Sequence, residues 1–280
     1  MVSLRGSQSP DGGWPYRGVG PSWTEPTAYA LLALMTRGSD PEPVAKGVAW
    51  LKAAQRPDGG WAPQPAIRES TWVTAVTVLL GPAALGEDSY LRGISWIAQQ
   101  TGADTNLFSR VREFLIGRPR GYPGWPFFPR TSAWVTPTAL SMLALRQAAN
   151  AVATAQFRAR LDMGASFLLA HACSQGGWNY GAARAAGYDA ESYPETTGVA
   201  LLALAGRDGP EIRKACRRAQ EMLSGCRTSE GESWLRLGLQ AHGQLPSGAP
   251  LPVCPTRTVQ DASLALLASA ALAGWNVFLE

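Results

Sequence analysis

Acidic side chains stand at the starts of several apolar segments, and two roles are open to them there. They are Glu25, Glu69, Glu195 and Asp261. In the first turn of a helix, an acid accepts hydrogen bonds from free backbone N–H groups and interacts favourably with the helix dipole. Held in a dry pocket, the same carboxyl group keeps its proton and can act as a general acid. These four acids are therefore either helix-start caps or candidates for catalytic or binding roles.

The helices that would position these acids follow from the apolar pattern of the chain. Some segments are apolar on nearly every face, which is typical of buried helices, and others carry one polar face. The buried segments lie near residues 24–36, 71–81, 134–147, 195–206, 233–242 and 258–273, and the amphipathic ones near 41–54, 89–100, 155–170 and 210–224. Alternation of the two kinds predicts an all-α fold, an α/α toroid with six inner helices. The outer ring would be incomplete, because residues 243–257 read as loop, and an open solenoid is the alternative.

A turn closed by tryptophan recurs between these helices. It reads QRPDGGW at 55–61 and QSPDGGW at 8–14, with shorter copies at 122–125 and 174–178 and a weaker one at 229–234. Proline ends a helix and glycine allows the positive φ of a tight turn. Repetition of one unit is typical of a repeat architecture. We expect Trp14, Trp61, Trp125 and Trp178 to be structural clips.

The composition favours a core-rich single domain over residues 1–280. Apolar residues make up 46% of the chain and charged residues 16%, which argues against disorder. The formal charge of +4 is spread along the chain and does not indicate a nucleic-acid partner. No apolar run reaches about 18 residues, and the first residues lack the apolar core of a signal peptide. Four cysteines without CxxC spacing fit free thiols, so a cytoplasmic location is expected.

Residues 101–130 interrupt the pattern and are predicted to be an insertion between repeats. An apolar stripe within it is surrounded by arginines. One interpretation is an extra outer helix with solvated arginines. The other is a lid, or a peripheral contact with an anionic membrane surface through residues 107–120. The sequence does not indicate an oligomeric state.

The stretch KGVAWLKAAQRPDGGW at 46–61 resembles the QW motif of squalene–hopene and oxidosqualene cyclases. The DGGW turns and the apolar inner helices also resemble the β subunits of protein prenyltransferases, and the resemblance covers essentially the whole chain. It implies an α6–α6 toroid with a central, aromatic-lined cavity for an isoprenoid. The chain is about the size of one cyclase domain, whereas squalene–hopene cyclases carry two.

The resemblance also implies a chemistry, because class II cyclases of this kind protonate an alkene or epoxide. Their acid is the central Asp of a DxDD-T-A signature at the start of an inner helix, and this chain has no DxDD. Matching Thr27-Ala28 to the T-A of the signature places Glu25 in the slot of that Asp, and matching Thr197-Gly198 places Glu195 there. In a closed ring of six pairs these two acids would face one another.

The resemblance thus implies Glu195 as the first candidate for the proton donor, because Tyr193-Pro194 and a polar loop precede it, and Glu25 as the second. Asp261, which falls one position later in its segment, is the third. Residues at or before inner-helix starts would line the cavity: Trp23, Trp72, Trp134, Tyr193 and Glu69.

By this resemblance the chain would be an isomerase, a class II terpene-cyclase-like enzyme that binds a linear isoprenoid. Protonation needs no metal or other cofactor, although a diphosphate substrate would bring Mg²⁺. The missing DxDD supports an alternative, a non-catalytic toroid that binds an isoprenoid or a protein. A carbohydrate-active α/α toroid using Glu25 and Glu195 is a further one. A zinc prenyltransferase is less favoured, because the chain has no Asp-x-Cys and offers only His171-x-Cys173.

Overall fold

The structure, a computed structural model, describes residues 3–36, 38, 41–103, 122–151, 155–181, 184–185, 188–246 and 248–280. These residues form an α/α toroid. In chain order the helices are α1 Thr24–Thr36, α2 Pro41–Ala54, α3 Val73–Val78, α4 Gly81–Leu85, α5 Glu87–Gln99, α6 Val135–Ala151, α7 Ala155–Ala170, α8 Pro194–Ala203, α9 Pro210–Gly225, α10 Ser229–Ala241 and α11 Val259–Leu272. Two small antiparallel pairs join β1 Trp125–Pro126 to β2 Ala133–Trp134 and β3 Arg184–Ala185 to β4 Tyr188–Asp189.

Six helices form a closed inner ring. They pack side by side in the order α1, α3, α6, α8, α10, α11, and α11 packs back against α1. This closure confirms the predicted toroid and excludes an open solenoid for the described residues. α2, α5, α7 and α9 pack on the outside of the ring. Residues 243–257 contain no helix among those described, and part of this loop lies against α11.

Most inner helices are buried because their side chains are apolar nearly all round, whereas α10 also buries a charged pair, Glu232 with Arg236 at 2.9 Å. Every residue of α1 from Thr24 to Leu34 is buried, and so is every residue of α8 from Thr196 to Ala203. The outer helix α9 instead buries one face only. A helix with no polar face is stable only where protein surrounds it, so this contrast in sequence separates the inner ring from the outer one.

Four inner helices, α3, α6, α8 and α10, differ from the predicted bounds by three or more residues at one end, and the causes at α3 and α10 are clear. α3 ends at Val78, and the chain then bends at Gly81, whose φ is 76°, into the short helix α4. α10 begins at Ser229 rather than near residue 233, because the side chain of Thr228 accepts a hydrogen bond from the N–H of Gly231 and caps the helix. The segment 229–234, interpreted above as a weak turn, is therefore the first turn of an inner helix.

Four buried tryptophans make the same pair of hydrogen bonds, and three of them, Trp61, Trp125 and Trp178, thereby connect an outer helix to an inner one. In each, the indole N–H donates to a backbone carbonyl and the backbone N–H donates to a threonine hydroxyl on the next inner helix. Trp61, for example, bonds to Leu51 O at 2.7 Å and to Thr74 Oγ1 at 2.8 Å. The other pairs of partners are Leu4 and Thr27 for Trp14, Ile97 and Thr138 for Trp125, and Leu168 and Thr197 for Trp178. All four are at most 2% exposed.

The spacing of these bonds shows where the units differ in length. The tryptophan and its threonine are 13 residues apart in three units and 19 in the fourth, where the β3–β4 pair lies between Trp178 and Thr197. In three units the indole N–H bonds to the carbonyl of a residue ten positions earlier in the chain, whereas Trp125 bonds to Ile97, 28 positions earlier. The predicted insertion at 101–130 falls there, and its residues 104–121 lie outside the described part.

No helix within the described ranges combines the length and the apolar character that crossing a membrane requires. The predicted peripheral contact through residues 107–120 falls in the undescribed stretch. All four cysteines are free thiols, with Cys173 and Cys216 buried.

Candidate active site

A cavity of about 240 Å³ opens at the N-terminal end of the inner ring. Five of the six inner helices contribute to it, and Trp72 stands directly before the sixth. The lining residues are Glu25 and Tyr29 from α1, Trp72, Phe127, Thr136 from α6, Tyr180, Glu195 and Val199 from α8, Glu230 and Trp234 from α10, and Gln260 from α11. Three carboxyl groups and five aromatic rings therefore share one enclosed space.

Glu25 is the most enclosed of the three acids. It lies in the first turn of α1, is 8% exposed, and its Oε2 accepts a short hydrogen bond from the hydroxyl of Tyr16. Burial raises the pKa of Glu25 from 4.5 to about 7, although hydrogen bonds from Tyr16 and Gln260 favour the ionised form. Glu25 consequently carries a proton in a large fraction of molecules at neutral pH.

The loop before α1 brings Tyr16 to Glu25. A single antiparallel bridge pairs Trp14 with Trp23, and the N–H of Trp23 donates to Trp14 O at 2.9 Å. The carbonyl of Tyr16 accepts from the N–H of Val259 at 3.0 Å. The tyrosine is thus held between the loop and the last inner helix, and its position does not depend on Glu25 alone.

Glu230 is the second acid whose proton affinity is raised. Burial, and after it the negative charges of Glu25, Glu195 and Asp261, together raise the pKa of this carboxyl to about 7. The amide of Gln260 donates to Glu230 Oε1 at 3.2 Å. Because Gln260 also interacts with Glu25, one amide connects the two buried acids.

Glu195, in the first turn of α8, is the third acid of the cavity. Its Oε1 accepts a hydrogen bond of 3.2 Å from Thr228, the N-cap of α10. α8 and α10 approach closely because two glycines face one another: a Cβ on Gly198 would lie 2.2 Å from the carbonyl carbon of Trp234, and one on Gly238 would lie 2.5 Å from Gly198 O. This glycine contact brings Glu195 and Glu230 to the same cavity.

The aromatic residues surround the acids rather than forming one flat platform. Trp72 meets Phe127 edge-on, with centroids 5.5 Å apart and planes at 90°, and Tyr29 meets Trp234 at 6.1 Å and 73°. The faces of aromatic rings attract cations. The walls of the cavity therefore suit a positive charge that develops on an apolar ligand.

The predicted site residues fall into three groups. Glu25, Glu195 and Trp72 line the cavity. Three predicted aromatics lie behind or beside the lining: Trp23 packs on Tyr16, Trp134 on Phe127 and Tyr193 on Tyr180, at centroid distances of 5.4, 5.9 and 5.4 Å. Trp134 and Tyr193 are respectively 39% and 44% exposed.

The remaining two predicted residues are placed outside the cavity lining. Glu69 pairs with Arg130 at 2.9 Å, with both side chains largely exposed. Asp261 belongs to a capping box: its Oδ2 accepts from the N–H groups of Arg257 and Thr258 at 2.8 and 3.0 Å, and its own N–H donates to Thr258 Oγ1. A carboxylate held by backbone donors at a helix start is the capping role that the sequence also allowed.

Sequence reasoning missed Tyr16, Glu230 and Gln260. A signal for Glu230 was present, since a threonine followed by two acids, Glu230 and Glu232, is a typical helix start. Tyr16 and Gln260 carried no such signal, because they reach the site only through contacts between distant parts of the chain. Among the described residues no group of three or more His, Cys, Asp and Glu side chains could hold a metal ion.

The fold and the cavity define an α/α toroid with an acidic, aromatic site at one end of its inner ring. No protein-family model matches the chain. A stretch of 87 residues is 37% identical to the drimenyl diphosphate synthase of Streptantibioticus cattleyicolor, and covers 29% of this chain and 16% of that protein. The match thus spans less than a fifth of the relative's length.

Solved structures share the fold at low sequence identity. One is a variant of the type II terpene cyclase MstE from Scytonema in complex with its substrate geranylgeranyl dihydroxybenzoate, with a TM-score of 0.57, 19% identity, and coverage of 98% of this chain and 75% of that one. Another is the endo-β-1,4-glucanase CMCax from Acetobacter xylinum, with a TM-score of 0.63, 14% identity, and coverage of 94% and 93%. At these identities the structural likeness shows the α/α toroid alone.

Proposed function

We propose that this chain is a class II terpene-cyclase-like enzyme, which binds a linear isoprenoid in the cavity and starts its cyclisation by protonation of an alkene or epoxide. One observation carries the proposal: Glu25, a buried acid whose pKa is raised to about 7 so that a substantial fraction of molecules keep its proton at neutral pH, lies inside an aromatic cavity. The 37% identical stretch shared with a drimenyl diphosphate synthase favours terpene chemistry among the activities found on this fold.

Glu25 is the donor in this proposal, ahead of Glu195, which the resemblance ranked first. A donor must hold its proton at the working pH, and burial gives Glu25 a pKa of about 7. The hydrogen bond from Tyr16 then stabilises the carboxylate that remains after transfer. Glu25 also stands in the slot of the central Asp when Thr27-Ala28 is matched to the cyclase signature.

The remaining residues would serve the steps after protonation. The proton of Glu25 adds to one alkene carbon, the other carbon becomes cationic, and the next double bond of the chain attacks it. Ring faces of Trp72, Phe127 and Trp234 stabilise the migrating charge. Glu195 or Glu230, in its carboxylate form, accepts a proton from the final cation and a new double bond forms. Exchange with solvent then returns a proton to Glu25, so the net reaction is an isomerisation.

Product analysis tests this proposal directly. The purified protein is incubated with farnesol, geranylgeraniol, squalene and oxidosqualene, and with the C15 and C20 diphosphates plus Mg²⁺, and extracts are analysed by gas chromatography and mass spectrometry. Cyclic products are expected with at least one substrate, and Glu25→Gln should lower their rate by about 10²–10⁴-fold.

The matched control is Glu211→Gln, since Glu211 lies in the first turn of the outer helix α9 and is exposed. It should leave the rate unchanged. A Glu25→Gln protein that folds normally and retains full turnover would contradict Glu25 as donor. Binding of isoprenoids without any conversion would instead assign the chain to non-catalytic toroids.

A carbohydrate-active enzyme is the second candidate, and the glucanase likeness favours it. Glycosidases pair a carboxylic acid of raised pKa with an ionised carboxylate, and Glu25 with Glu195 would supply such a pair. Against it, the edge-on packing of Trp72 on Phe127 leaves no continuous stacking platform for sugar rings. Release of reducing ends from cello-oligosaccharides, lost in Glu25→Gln, would favour this candidate over the cyclase.

A further inference from the structure

The charge of the cavity bears on the kind of isoprenoid that it accepts. The lining residues that the structure describes include three carboxyl groups and no lysine, arginine or histidine. These acids already repel one another electrostatically, because the negative charges of Glu25 and Glu195 both raise the pKa of Glu230. An anionic ligand group placed inside would add to that repulsion.

The volume of the cavity limits how much of an isoprenoid fits inside, and therefore where the head group of the isoprenoid lies relative to these acids. An apolar cavity of about 150 Å³ holds one benzene ring, so about 240 Å³ holds roughly ten non-hydrogen atoms. That is about two isoprene units. For a C15 ligand with its distal end enclosed, the third unit and the head group would lie at the mouth.

Glu195 marks that mouth. It lines the cavity and also a neighbouring open groove at the surface. Arg218 and Arg227 line that groove but not the cavity, and Arg218 pairs with Glu221 at 3.1 Å. The carboxylate of Glu195 is held at the rim by Thr228. A head group at the mouth would therefore lie beside a fixed carboxylate, with Glu230 behind it in the same cavity.

We propose that this cavity selects isoprenoids whose head group is uncharged or cationic, and discriminates against isoprenoid diphosphates. The inference rests on the proposed function and deepens it by naming the substrate class. It separates this chain from the drimenyl diphosphate synthase to which part of it is similar. The physical basis is twofold: carboxylates repel a diphosphate, and carboxylates together with aromatic faces attract an ammonium group.

Three ligands with the same C15 chain test the inference: N,N-dimethylfarnesylamine, farnesol and farnesyl diphosphate. Binding is measured at pH 7 by tryptophan fluorescence quenching, since Trp72 and Trp234 line the cavity, and by calorimetry. The amine should bind about tenfold more tightly than farnesol. The diphosphate should bind at least about tenfold more weakly than farnesol, with or without Mg²⁺.

The double variant Glu195→Gln with Glu230→Gln should remove most of the difference between the three ligands. Glu211→Gln should preserve it, because this acid lies on the outer ring. If the double variant does not fold, salt titration of the wild type supplies the same comparison. The preference for the amine should shrink as ionic strength rises, because salt screens charges at the open mouth.

The outcomes distinguish this inference from the proposed function. Farnesyl diphosphate that binds as tightly as farnesol, or a preference that the double variant retains, would overturn the inference. If that diphosphate is also converted to a cyclic product, the cyclase proposal stands. If no C15 ligand binds with any head group, the inference is overturned, and the cyclase proposal is overturned with it only if geranylgeraniol, squalene and oxidosqualene also give no cyclic product.

Discussion

The starts of the inner and outer helices carry the same dipeptide but have opposite surroundings. α8 begins with Pro194-Glu195 and α9 with Pro210-Glu211, each with proline and an acid in the first turn. Glu195 lines the cavity, whereas Glu211 is exposed to solvent. The same local chemistry can therefore cap a helix in water or supply an acid to a site, and position in the ring decides which.

The physical difference lies in hydration. An exposed first-turn acid keeps its water and gains about 0.3–1 kcal/mol from the helix dipole. Inside the ring an acid loses that water, and its charged form becomes costly. Glu25 and Glu230 both show this effect, since burial is the largest cause of their raised pKa. The predictions below compare inner positions with matched outer ones.

Trp61→Ala should have the largest effect on stability. Trp61 is fully buried and ties the outer helix α2 to the inner helix α3 through two hydrogen bonds. Truncation of a buried tryptophan costs about 3–5 kcal/mol, and chemical denaturation would measure it. Trp275→Ala is the control, because this tryptophan is 56% exposed. A loss below about 1 kcal/mol for Trp61→Ala would contradict the clip.

Gly198→Ala should have the next largest effect, because a methyl group there would lie 2.2 Å from the backbone of Trp234. α8 and α10 would have to separate, and such overpacking costs about 1–3 kcal/mol. Gly225→Ala at the end of the outer helix α9 meets nothing within 4 Å and should be neutral or slightly stabilising. Equal melting temperatures for the two variants would rule out the glycine contact.

Glu195→Gln should lower turnover by about 10–100-fold, because it removes a carboxylate at the cavity mouth. The amide keeps the size of the side chain, so the melting temperature should stay within a few degrees of wild type. Glu211→Gln should change neither quantity. If Glu195→Gln unfolds much of the protein and the folded remainder turns over normally, the residue is only a helix-start acid.

The dependence of stability on pH should show the smallest effect. Glu25 and Glu230 have a pKa of about 7 in the folded protein, above the ordinary 4.5. The folded state therefore binds more protons, and this stabilisation is present below about pH 4.5 and lost as the pH rises through 7. The melting temperature should fall between pH 5 and 8, and fall less in Glu25→Gln. A parallel fall in the variant would contradict the raised pKa.

The ring itself could be predicted from sequence because each buried helix is recognisable from the apolar residues of its own segment. The segments 24–36 and 41–54 were predicted with the bounds that the structure gives to α1 and α2. Because these segments are apolar on nearly every face, the sequence also predicted that the inner helices close into a ring. Burial of whole helices leaves a clear pattern in the sequence, since every position along them must avoid water.

The cavity could be predicted only in part. Glu25, Glu195 and Trp72 were found because acids and aromatics at helix starts carry a local signal. Glu230 was missed because glycine and serine around it at 229–234 were interpreted as a turn, although Thr228 caps a helix there. Tyr16 reaches Glu25 through the bridge between Trp14 and Trp23, and contacts of that kind leave no spacing rule in the sequence.

The most direct measurement is a titration of the glutamate carboxyl groups by ¹³C NMR, using protein labelled at the glutamate side-chain carbonyl. It needs no substrate and reports the protonation on which the account depends. Two resonances should titrate near pH 7, one missing in Glu25→Gln and the other in Glu230→Gln, and both present in Glu211→Gln. If every glutamate titrates near its ordinary value of about 4.3, Glu25 is ionised at neutral pH and cannot be the proton donor.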